Sequence, residues 1–267
     1  MNTIQLKDIN ISDFEKCKIQ GTKSTVYHND ILCIKLLDKL YPDEKGSLYR
    51  KFLEMDGLVI DDVILPNCLI LDGDKLIGYI MEYFKDSIPI SDYLTLTRYI
   101  NCKTIFSITK KVSIILRHIH ENNIICQDLS FDNILIDKDR NIKYSDIDGC
   151  MYKEYKSPFM SHVLQSLFDY RKDPFHYFSK NTDRISLMLS FYAATYLKEL
   201  QKLSKKKYHS LSDNMQTLEN CREYASKLLS RCRILPDIPY MDELIDDADD
   251  YIIDREKQLG LIHRLLR

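Results

Sequence analysis

Residues 124–149 read IICQDLSFDNILIDKDRNIKYSDIDG. Asp128, Asn133 and Asp146 stand in one short hydrophobic frame. Asn133 follows Asp128 by five residues, and Asp146 follows it by eighteen. Ile134, Leu135 and Ile136 form an apolar run that predicts a short buried strand. Residues 137–141 are a polar turn, and Ile142, Lys143 and Tyr144 predict the returning strand. A hairpin of this length brings Asn133 and Asp146 side by side at one end. Two hard oxygen ligands held there suit a magnesium ion carried by a nucleotide. Asp128, at the start of the same loop, is placed to orient a hydroxyl nucleophile.

The D-x-x-x-x-N run from Asp128 to Asn133, followed by Asp146, resembles the catalytic and metal-binding loops of the eukaryotic-type protein kinase superfamily. The pattern departs from that family at several positions. Cys126-Gln127-Asp128 stands for the HRD triplet, and Ser130 for the lysine two residues after the aspartate. Asp146-Ile147-Asp148 stands for DFG, with Gly149 only afterwards. The resemblance implies an α+β, bilobal protein kinase-like fold. Residues 1–84 would form an N-lobe with a five-stranded antiparallel sheet and one helix. Residues 85–267 would form a mainly α-helical C-lobe, with the nucleotide in the cleft between them.

The resemblance makes demands upstream. A phosphate-covering hairpin should come first, and Lys18-Ile19-Gln20-Gly21-Thr22-Lys23-Ser24-Thr25-Val26-Tyr27 occupies its place. Anchored on Val26, Gly21 is the second glycine of the family's three; Ile19 and Ser24 replace the others. Fewer glycines leave backbone amides less room to approach phosphate. Next, residues 30–37 predict a strand in which Lys35 matches the family's phosphate-anchoring lysine. Residues 39–58 should hold the glutamate-bearing helix, starting after Pro42, with Leu48, Phe52 and Met55 as its apolar stripe. Glu44 and Glu54 are the glutamates available there. Glu54, nineteen residues after Lys35, suits an ion pair with it.

Two strands, residues 64–71 and 75–84, flank the turn Asp72-Gly73-Asp74. The second ends in Met81-Glu82-Tyr83-Phe84, which resembles the hinge of the family. Backbone groups near Glu82 and Phe84 would bond the adenine edge, with Met81 lining the pocket. Residues 104–122 predict an amphipathic helix whose apolar face carries Ile105, Ile108, Val112, Ile115, Leu116 and Ile119. His118 and His120 on it lack metal-ligand spacing and read as structural. Asp183 opens a D-x-x-S-L pattern thirty-seven residues after Asp146. In the family this aspartate bonds backbone amides of the catalytic loop, and it would also make a helix cap. Tyr152, Tyr155 and Ser157 lie where an activation segment would be phosphorylated, but Gln127 removes the usual arginine partner for a loop phosphate.

Composition bounds the rest. The chain has 267 residues, 45% hydrophobic, and a formal charge of -2. It can bury a sizeable core, and its charge gives no case for nucleic acid as a partner. No apolar run approaches the ~18 residues of a membrane span, and residues 1–16 are too mixed and charged for a secretory signal. The eight cysteines contain no C-x-x-C pair, which argues against a zinc site or a disulfide framework. Reduced thiols in a cytoplasmic protein are the expectation. Residues 205–207 and 246–250 are charge clusters read as solvated faces.

The roles then expected are these. Asp128 and Lys35 are catalytic. Gly21, Val26, Lys35, Glu54, Met81, Glu82, Phe84, Asn133 and Asp146 bind ATP. Asn133, Asp146 and Asp148 bind Mg2+ or Mn2+, although Asp148 would alternatively form a salt bridge. The reaction is transfer of the γ-phosphoryl of ATP to a Ser or Thr hydroxyl of a protein substrate. Three alternatives stay open. Asp146-Ile147-Asp148 is shaped like the D-x-D metal loop of small-molecule kinases of the aminoglycoside or choline type. The eroded glycine loop and Ser130 point to a pseudokinase scaffold. Nucleotidyl transfer is available to the same fold.

Overall fold

Strands β1 (Asn2–Gln5), β2 (Glu15–Lys16), β3 (Thr25–His28), β4 (Leu32–Leu36), β5 (Pro66–Asp72) and β6 (Lys75–Glu82) build one sheet. Its order is β1-β5-β6-β4-β3-β2. The computed structural model describes residues 1–17, 24–97, 102–127, 129–156, 178–203 and 240–244. The strands from β2 to β6 pair antiparallel, which accounts for the five expected. β1 is the sixth and lies parallel to β5, with Asn2 opposite Cys68. It is a four-residue strand with two exposed positions. A parallel partner is reached by a long crossover rather than by a hairpin turn, so no local turn signal announces it.

Helix α1 (Pro42–Glu54) crosses this sheet. Pro42 sits at its first turn, where a missing N–H costs nothing, and Glu44 accepts the Tyr41 backbone N–H at 2.8 Å. The predicted stripe of Leu48, Phe52 and Met55 is buried. Full burial of such side chains stabilises by about 1.5–3 kcal/mol each. The Phe52 ring meets Tyr79 of β6 edge-on at 5.2 Å. Gly78, two residues before Ile80, is required by close approach. A Cβ there would lie 2.5 Å from the Lys35 carbonyl oxygen on the neighbouring strand.

Helices follow. Strand β7 (Ile88–Pro89) leads into α2 (Ile90–Leu96), and α3 (Cys102–Glu121) buries all six of its predicted apolar-face residues. Short strands β8 (Ile124–Ile125), β9 (Ile134–Ile136), β10 (Ile142–Tyr144) and β11 (Met151–Tyr152) carry the loops of interest. Helix α4 (Lys180–Leu203) and the helical turn α5 (Met241–Leu244) pack on α3. A sheet-rich N-terminal region followed by helices is the expected α+β class. The start of α4 differs in detail. Ser179 and Thr182 exchange side-chain-to-backbone hydrogen bonds, so Ser179, not Asp183, caps the helix. No described helix is long and apolar enough to cross a membrane.

Candidate active site

The hairpin forms as its sequence dictates. Ile134 lies opposite Tyr144, and Ile136 opposite Ile142. Asp137 accepts the backbone N–H groups of Asp139 and Asn141 at 2.9 and 2.8 Å, which closes the polar turn. At the other end the Asn133 carbonyl accepts the Ser145 N–H at 3.1 Å and its hydroxyl at 3.2 Å. Asn133 is therefore directly across from Ser145, one residue from Asp146.

Lys35 reaches this hairpin from β4. Its ammonium donates to Asp146 Oδ1 at 2.8 Å and to Asp148 Oδ1 at 2.7 Å. The same Asp148 oxygen accepts the Tyr79 hydroxyl at 2.8 Å. Tyr79 is the cross-strand partner of Lys35, so strand register alone delivers both donors to one carboxylate. Burial by itself would lower the Lys35 pKa, but Asp146 and Asp148 outweigh it and hold the ammonium well above the ordinary lysine range. Burial would raise the Asp148 pKa; the adjacent Lys35 charge and its hydrogen bonds prevail and keep the carboxyl below its ordinary value. Burial, reinforced by Asp148, keeps the Tyr79 phenol protonated far above its usual range.

A second cation enters from α1. Lys51 is 1% exposed, and its ammonium donates to the carbonyls of Ile147, Asp148 and Cys150 at 3.2, 2.9 and 2.8 Å. The first two belong to the one-turn 3-10 helix Ile147–Gly149 that follows Asp146, and Cys150 is the residue that ends it. Burial draws the Lys51 pKa down to about 8, against the raising influence of Cys150, Asp148 and Asp146. Two lysines and two aspartates thus balance in charge.

The expected Lys35–Glu54 pair is corrected by this geometry. Glu54 stands at the end of α1 and accepts from Lys153 Nζ at 2.8 Å and the Tyr155 hydroxyl at 2.6 Å. It faces the segment downstream of Cys150, because the buried stripe turns Lys51 rather than Glu54 toward the sheet. Glu44 is taken up at the helix start. Of the other expected site residues, Val26 pairs with Lys35 across β3 and β4, and Met81 pairs with Cys33. Glu82 accepts from Lys143 of β10 at 2.5 Å, and that ammonium lies 5.4 Å from the Phe84 ring centre. The Phe84 carbonyl accepts the Ser87 hydroxyl at 2.6 Å.

The backbone just before residue 128 is held from behind. Asp183 is fully buried, and its two oxygens accept the backbone N–H groups of Cys126 at 2.7 Å and Gln127 at 3.1 Å. His120 lies 3.0 Å from the same carboxylate and 2.9 Å from the Tyr240 hydroxyl, consistent with its structural reading. Gln127 is buried at φ 58°, with neither amide atom hydrogen-bonded. Asp128, Gly21, Ser157 and the charge clusters at 205–207 and 246–250 lie outside the described residues.

Sequence reading missed Lys51 and Tyr79. Both carried a signal. Lys51 falls between Leu48 and Met55 at helical spacing, a charge inside a buried stripe. Tyr79 lies on the strand that pairs with Lys35, on the face that packs on α1.

Among the described residues no group of three or more His, Cys, Asp and Glu could hold a metal ion. Asn133 and Asp146, at one end of the hairpin, carry oxygen donors of the type magnesium takes, one or two of them together with phosphates and water. The model for the family described as protein tyrosine and serine/threonine kinase matches residues 13–160, over half of the chain.

Proposed function

We propose a function from the premise that the chain belongs to the protein tyrosine and serine/threonine kinase family. It is a phosphotransferase that moves the γ-phosphoryl group of ATP to a Ser or Thr hydroxyl of a protein. One observation carries this reading. Lys35 and Asp146, 111 residues apart in sequence, meet at 2.8 Å beside the end of the hairpin that bears Asn133. This contact supports reading Lys35 as the phosphate anchor and Asn133 with Asp146 as the ligand set beside it.

In the reaction the substrate hydroxyl oxygen bonds the γ-phosphorus. The bond from that phosphorus to the bridging oxygen breaks, and ADP leaves with the electron pair. The hydroxyl proton passes to Asp128. Lys35 offsets phosphate charge. Asn133 and Asp146 would hold Mg2+ or Mn2+, which supplies further neutralisation of phosphate charge when bound. Val26, Met81 and the backbone near Glu82 and Phe84 would enclose the adenine, with Gly21 over the phosphates. We assign Asp148 to Lys35 rather than to metal, because its Oδ1 already accepts Lys35 and Tyr79. Residues 1–84 and 85–267 would be the two lobes. The described cysteines that are free thiols suit the reducing cytoplasm.

The test is incubation with γ-labelled or α-labelled ATP, magnesium or manganese, and a mixed protein substrate. Label from the γ position alone, recovered as phosphoserine or phosphothreonine, is expected. Label from the α position means nucleotidyl transfer, and no transfer to protein overturns the protein-kinase reading in favour of a small-molecule kinase or a scaffold.

A further inference from the structure

The Lys51 ammonium has three protons, and each is donated to a carbonyl of the turn after Asp146. Those carbonyls face the buried side of α1, where water cannot replace the lysine. Asp146 begins that turn: the Gly149 N–H returns to the Asp146 carbonyl at 3.1 Å. Helix α1 and the loop that carries Asp146 are therefore joined at the turn itself. Glu54, one turn further along α1, makes a second junction with Lys153 and Tyr155. Meanwhile the carboxylates bound to Lys35 both come from the loop and neither from α1. The helix supplies a cation to the loop, and the loop supplies the anions to the strand lysine.

We propose that Lys51 is a positioning residue for phosphoryl transfer, which fixes the Asp146 carboxylate for the metal–nucleotide and sets α1 in register with that loop. The inference rests on the phosphotransferase reading. It differs from a purely structural role in one respect. A structural lysine lowers the folded fraction when lost, but it leaves the metal response of the folded molecules intact.

The experiment measures ATP binding to the full chain across a magnesium titration, for wild type, Lys51→Met and Lys51→Arg. Hydrogen–deuterium exchange over residues 146–152 is followed in parallel. In Lys51→Met the magnesium midpoint should rise by about tenfold or more, the scale of a lost supporting contact to a metal ligand. Exchange in 146–152 should quicken, and Lys51→Arg, which keeps charge and donors, should recover most of both. A folded Lys51→Met with the wild-type midpoint overturns the proposal. If Lys51→Met does not fold, Lys51→Gln is titrated with the same criterion. A wild type that binds no magnesium–ATP sinks the phosphotransferase reading instead. Exchange alone then judges the tie: faster exchange in Lys51→Gln upholds it, and unchanged exchange overturns it.

Discussion

The Asp148 carboxylate, 1% exposed, lies 2.7 Å from the Lys35 ammonium and shares the accepting oxygen with the Tyr79 hydroxyl. A buried carboxylate engaged in this way is a counter-ion before it is a ligand. Asp148→Asn keeps an acceptor for Tyr79 but removes the charge. Breaking a buried pair costs about 3–5 kcal/mol, and the surviving Asp146 contact places the expected loss near the lower end. Urea unfolding should show that loss, while ATP binding by the folded protein keeps its wild-type magnesium midpoint. A displaced midpoint would return Asp148 to the metal ligands.

Asp146 should behave in the opposite way. It is the carboxylate next to the Asn133–Ser145 junction, and it is more exposed than Asp148, at 25% against 2% for the side chains. Wild type should bind ATP more tightly with magnesium than with a chelator. Asp146→Asn should erase about tenfold or more of that advantage. Calorimetric titration in the two conditions checks this. Equal affinity of wild type with and without metal would remove Asn133 and Asp146 from the ligand set together.

The local periodicities were the legible part of the fold. The hairpin at 134–144 and the α3 stripe fall where alternation and helical spacing put them, and Lys35 is legible as the one charge in an apolar strand that matches the family's lysine in position. What stayed hidden depends on long-range pairing. The parallel β1–β5 contact has no turn to announce it. The choice between Glu54 and Lys51 required the position of α1 along the sheet, because residues three apart share a helix face but sit about one turn apart along its axis, where each meets a different part of the 147–155 segment. Tyr79 looked like an ordinary strand aromatic until the register set it opposite Lys35.

The Lys51 ammonium gives the metal-free protein a recognisable pH signature. Its pKa is about 8 in the folded chain against the ordinary 10.5. Between these values the unfolded chain binds a proton that the folded chain does not, so Lys51 makes stability rise with pH across that window. Below about 8 both states are protonated and the burial penalty is fully present. A displacement of this size is on the order of 3 kcal/mol. Urea unfolding with chelator at pH 7 and pH 9.5 should show wild type gaining relative to Lys51→Met. A difference between the two that is flat in pH would mean that Lys51 is not buried as a cation.

Asp183 tests whether the catalytic loop is held from behind. Its two oxygens divide their work: Oδ2 accepts Cys126 N–H and faces His120, and Oδ1 accepts Gln127 N–H. Asp183→Asn keeps one accepting oxygen and turns an NH2 donor toward a backbone N–H. A hydrogen bond to a charged group is worth about 1.5–3 kcal/mol, and donor facing donor adds desolvation to its loss. We expect unfolding free energy to fall by about 3 kcal/mol on that basis. Because Gln127 immediately precedes Asp128, phosphoryl transfer by the folded fraction should also slow, with ATP affinity nearly unchanged. Single-turnover transfer and equilibrium ATP binding, measured on the same preparation, separate the two effects. Wild-type turnover in a destabilised Asp183→Asn would show that this carboxylate supports the fold without setting the loop.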